Sequence, residues 1–115
     1  MNKKDEATTD RIRLIRKKYP PVPMAPFLAM QRRWIRRVNQ MTSMTHVQRC
    51  AAVFIGAFGT PDAPFCATSM DYICKHVGCE RTAVHKAVKF LEGIGYMAVD
   101  RQKRAGNVYR IQVPI

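Results

Sequence analysis

The side chains best suited to chemistry in this chain lie between Arg81 and Lys89. Arg81, Thr82, His85, Lys86 and Lys89 recur at helical spacing, opposite an apolar stripe of Val84, Ala87, Val88 and Leu91. Cationic groups neutralise phosphates, and Arg, Thr and His also reach base edges. A second set, Arg101, Lys103, Arg104 and Arg110, flanks Ala105-Gly106-Asn107. A hairpin tip so charged can enter a minor groove or ride on phosphates. A third set, Arg32, Arg33, Arg36 and Arg37, surrounds the single tryptophan, Trp34. Four guanidiniums on one helix make a phosphate-binding strip. The same pattern also suits an anionic membrane or an acidic partner. Trp34 lies on the apolar side, as a core or dimer anchor.

Other chemistries find little support. Cys66, Cys74, His76 and Cys79 follow no zinc spacing such as paired C-x2-C, and His85 does not complete one. The eight acidic residues are scattered along the chain, and no glycine cluster cradles a phosphate. A protein without metal, cofactor or enzymatic activity is expected. Among the thiols, only Cys66, at a loop edge, is a mild candidate for redox sensing.

Charge points to partners. Twenty Lys and Arg against eight Asp and Glu give a formal charge of +12 over 115 residues. Residues 1–40 carry +8 of it and residues 41–115 carry +4. Nucleic acid is the first partner such an excess implies. The longest apolar run, near Ala51–Phe58, falls far short of the roughly 20 residues of a membrane span, and MNKKDEATTD has no apolar signal core. A cytoplasmic protein with free thiols is expected.

Several elements must position these groups. Residues 1–26 read as a basic, proline-containing flexible arm, and 27–115 as the folded domain. Within the arm, Arg11–Tyr19 is either a short helix or an extension that orders on binding, and Pro20, Pro21, Pro23 and Pro26 favour an extended spacer. Phe27–Gln40 is periodic, with Phe27, Trp34, Val38 and Met41 on one side. Ser43 or Thr45 caps a helix reaching about Phe58, with Val47, Cys50, Ala51, Phe54 and Phe58 expected inward. Met70, Ile73, Cys74 and Val77 stripe a further helix that Gly78 stops. Met97–Arg101 and Val108–Val113 read as strands of a hairpin.

Helix, turn, helix and hairpin in this order resemble the winged helix-turn-helix family, in the compact type met in bacterial, plasmid and phage proteins. The resemblance runs from about Met41 to Val113. Ile73, Cys74, Gly78, Cys79, Val84, Ala87, Val88, Leu91 and Gly95 match the family pattern in character and spacing, and Tyr96–Val99 and Val108–Ile111 look like its wing strands. It implies that Cys74 and Cys79 are small buried hydrophobes. Glu80 departs from the usual Ser or Asp cap, and Ala83 from the usual Thr.

The expectation is a mostly α fold with a small β hairpin, a winged helix-turn-helix carrying an N-terminal basic arm and an extra helix. Its expected function is sequence-specific binding of double-stranded DNA by a small transcriptional regulator of a mobile genetic element. The alternatives are a plasmid or phage replication or partition accessory, or an interaction module docking on a larger nucleoprotein complex. A homodimer through the N-terminal helix would place two half-sites about one helical turn apart.

Overall fold

The computed structural model describes residues 3–102 and 106–114, with the backbone alone for 3–9. Five helices and a two-stranded antiparallel hairpin follow one another: α1 (Lys3–Lys18), α2 (Met24–Asn39), α3 (His46–Phe58), α4 (Met70–Val77), α5 (Arg81–Gly93), β1 (Met97–Asp100) and β2 (Val108–Ile111). The chain is therefore mostly helical with a small hairpin, as its periodicities predict.

Local chemistry sets most boundaries. Thr45 Oγ1 accepts from Gln48 N at 3.2 Å while Gln48 Oε1 accepts from Thr45 N at 3.0 Å, a reciprocal cap that starts α3. Ser69 Oγ accepts from Tyr72 N to start α4. Gly78 ends it at φ 75°, where a side chain would be strained. Glu80 makes no side-chain cap on α5, in line with its poor fit to that position. The expected extended spacer is shorter than 20–26. Pro26 sits at the third position of α2, where its missing N–H needs no intrahelical partner.

Two sequence expectations change with the packing. The inward face of α3 is Ala51, Ala52, Ile55 and Gly56, whereas Val47, Cys50 and Phe58 are exposed and Phe54 is half-buried. The cause is Trp34, fully buried against α3: its ring lies where only a residue without Cβ fits, so Gly56 must face it. Trp34 Nε1 also donates to Tyr96 O at 2.6 Å, tying α2 to the foot of the hairpin. Trp34 is thus a core anchor. The second change is the arm: from Lys3 to Lys18 the backbone is helical, and Ile15 is buried with Phe65 and Val108.

The hairpin is covered on both faces. Its register pairs Met97 with Ile111 and Val99 with Tyr109, and this face joins the main core with Val84, Ala87 and Leu91 of α5. Alternation turns Ala98, Asp100, Val108 and Arg110 the other way. There Val108 meets Ile15, while Asp100 and Arg110 meet Tyr19. Cys66 pairs with Tyr109 on the outer edge of β2, exchanging two 2.8 Å backbone hydrogen bonds. Among the described residues no helix is long and apolar enough to cross a membrane.

Candidate nucleic-acid interface

Helix α5 presents an exposed polar and cationic face. Val84, Ala87, Val88 and Leu91 are buried, which turns Thr82, His85, Lys86 and Lys89 to solvent. These four stand at i, i+3, i+4 and i+7, on one side of the helix. No ion pair among the described residues engages them. Arg81, expected beside them, is exposed but ion-paired to Asp71 of α4. Both partners are largely solvated, so the pair is weak and exchangeable.

The hairpin contributes less than its sequence suggests. Arg101 forks onto Glu92 of α5 through two 2.7 Å hydrogen bonds, which hold the Glu92 carboxyl below its ordinary range. Arg110 lies with its guanidinium 4.5 Å from the centre of the Tyr19 ring, and its Nε is buried without a hydrogen-bond partner. Two of the four expected tip cations are therefore committed within the protein. Lys103 and Arg104 lie outside the described residues.

On α2 the expected strip is present. Arg32, Arg33, Arg36 and Arg37 are all exposed, and Arg37 Nη1 approaches Tyr96 Oη at 3.5 Å beside the foot of the hairpin. A group not singled out as a site from the sequence lies on α1: Arg13, Arg16 and Lys17 are exposed. Arg11 Nη1 donates to Ala67 O at 3.3 Å and Nη2 to Gly106 O at 3.4 Å. Lys18 Nζ and Tyr19 Oη converge on Asp100 Oδ2. The signal was the RIRLIRKKY spacing, in which Ile12, Ile15 and Tyr19 share a face; what it touches required the fold.

Also missed was an aromatic patch. Phe54, Phe58, Tyr72 and His76 pack ring against ring, with Tyr72 and His76 centroids 4.1 Å apart, and Phe58 and Tyr72 are about two-fifths exposed. The thiols also differ from expectation. Cys66 is buried, and burial pushes its thiol up, which removes it as a redox candidate. Cys74 and Cys79 are half-buried rather than buried, packed at the margin of the main core. The Cys79 thiol is pushed up by burial first and then by Cys74. No group of three His, Cys, Asp or Glu among the described residues is arranged to hold a metal ion. Compared with known protein families and curated sequences, the chain matches no family model and no curated protein.

Proposed function

We propose that this chain is a non-enzymatic protein that binds double-stranded DNA in the winged helix-turn-helix manner and acts in the cytoplasm. Helix α5 lies in the major groove, with Thr82, His85 and Lys86 toward base edges and Lys89 toward a phosphate. Arg81 joins them by exchanging Asp71 for a phosphate or a guanine. The arginines of α2 and the cations of α1 neutralise the flanking backbone. The observation that carries this reading is the exposed polar face of α5, engaged by no ion pair among the described residues and mounted on a buried apolar stripe. Neutralising about six phosphates makes log affinity fall with log salt at a slope near −5. A transcriptional regulator and a replication or partition accessory would use the same contacts.

Fluorescence anisotropy tests the proposal, with duplexes tiled from the gene's own neighbourhood and a scrambled control at two salt concentrations. One tile bound at least about a hundredfold tighter than scramble, at both salts, is the expected result. Uniform binding that collapses with salt reduces α5 to a polyanion face, and no binding ends the DNA reading. The exposed Phe58 and Tyr72 favour a second reading, an interaction module on a larger complex. That reading expects loss of a stoichiometric partner when Tyr72 becomes Ala, with Lys86→Ala silent.

A further inference from the structure

The strap that joins α1 to α2, residues 19–23, bounds a groove of about 350 Å³. Small-molecule sites have volumes of about 300–1,000 Å³. Tyr19, Pro21, Phe27, Met30 and Ile111 line the groove with apolar surface, and the one charged side chain among its walls is Arg110. Val22 N donates to Pro61 O at 2.9 Å, which ties the strap to the 60–64 loop. Three prolines in the strap restrict its backbone further, so the groove is formed before anything enters it.

Arg110 stands on the hairpin face turned away from the main core. Its guanidinium lies 4.5 Å from the centre of the Tyr19 ring, and its Nε is buried without a hydrogen-bond partner. A stacked ring satisfies the flat face of a guanidinium but none of its N–H donors. A buried charged donor left unpaired is costly, and a carboxylate brought to it would remove that cost. The acid on the same face, Asp100, is already held by Lys18 Nζ and Tyr19 Oη. No ion pair among the described residues reaches Arg110. Lys18 and Arg110 against Asp100 leave one positive charge beside an apolar groove.

We propose that this groove binds a small monocarboxylate with an apolar body. The carboxylate accepts from the Arg110 guanidinium, and the body lies along Pro21, Phe27, Met30 and Ile111. A phosphate would leave its further charged oxygens against that apolar wall without donors. Because Arg110 faces away from the core stripe of α5, the site stands independently of the DNA reading.

The test follows the amide resonances of the full, isotope-labelled chain as phenylpropionate is added, with its neutral amide, acetate and inorganic phosphate as controls. The expected result is a saturable shift centred on Tyr19, Val22, Phe27, Met30, Arg110 and Ile111. The amide binds about tenfold more weakly, the worth of a charge-assisted hydrogen bond. Arg110→Gln keeps the groove and loses the preference for acid over amide. Val22→Trp, at a rim position more than one-third exposed, fills the groove and abolishes both. Circular dichroism of each variant confirms that the fold is retained. Any one of four results overturns the proposal: no saturable shift at millimolar acid, equal binding of acid and amide, phosphate binding as tight as that of the acid, or undiminished binding in Val22→Trp. Shifts gathered instead on the cationic faces of α2 and α5 overturn it too, as general anion binding.

Discussion

Tyr19 Oη donates a 2.8 Å hydrogen bond to Asp100 Oδ2 across 81 positions of chain, and it clamps the end of α1 onto the hairpin. Lys18 Nζ holds the same oxygen at 2.7 Å. Lys18 first, then Tyr19, hold the Asp100 carboxyl below its ordinary range. Such a group stabilises the fold fully above its unfolded value of about 3.9 and loses that contribution as pH falls through the lower folded value. Asp100→Asn is therefore expected to melt below wild type at pH 7, with the gap closing as pH drops below 4. Thermal melts from pH 7 to 2.5 check it, and a gap constant over that range would remove the clamp from the account.

Gly56 and Gly93 are expected to respond oppositely to alanine. A Cβ at Gly56 would stand 2.6 Å from Cε3 of the buried Trp34, so the ring or a helix must shift, at about 1–3 kcal/mol. A Cβ at Gly93 meets nothing within 4 Å, and its gain in helix propensity is worth up to about 1 kcal/mol. Urea denaturation separates the two, and equal midpoints would contradict the packing.

Asp71→Ala releases Arg81. On the proposed function, affinity for the preferred duplex rises roughly two- to fivefold, the worth of an exposed ion pair. The salt slope also steepens by about 0.9 if Arg81 then takes a phosphate. Unchanged affinity in Asp71→Ala, together with loss in Arg81→Ala, would show that the pair already opens at no cost.

Arg110 and Lys86 are both cations in the expected footprint, yet they occupy different places. Arg110→Ala should lower stability by about 0.5–1 kcal/mol through the lost stack on Tyr19, leaving the salt slope unchanged. Lys86→Ala should leave stability within about 0.5 kcal/mol and flatten the slope by about 0.9. Paired melts and salt titrations decide, and a flattened slope in Arg110→Ala would return that residue to the interface.

What the sequence determined by itself is local. The Thr45 and Gly78 signals act within a turn of their own position, and the stripe from Val84 to Leu91 repeats cleanly enough to set both the buried face of α5 and its cationic face. The strands near Met97 and Val108 were legible for the same reason. What only the tertiary structure decided depends on partners distant in the chain. Helix α3 is apolar nearly all round, so its own periodicity cannot choose a phase; the Trp34 ring chooses, by demanding Gly56. Arg101 and Arg110 look alike as tip cations until Glu92 and Tyr19 claim them. Residues 11–19 suit a helix or a loose arm equally until Val108 and Phe65 offer Ile15 a place to bury. In each case several local solutions have similar free energy, and a long-range contact breaks the tie.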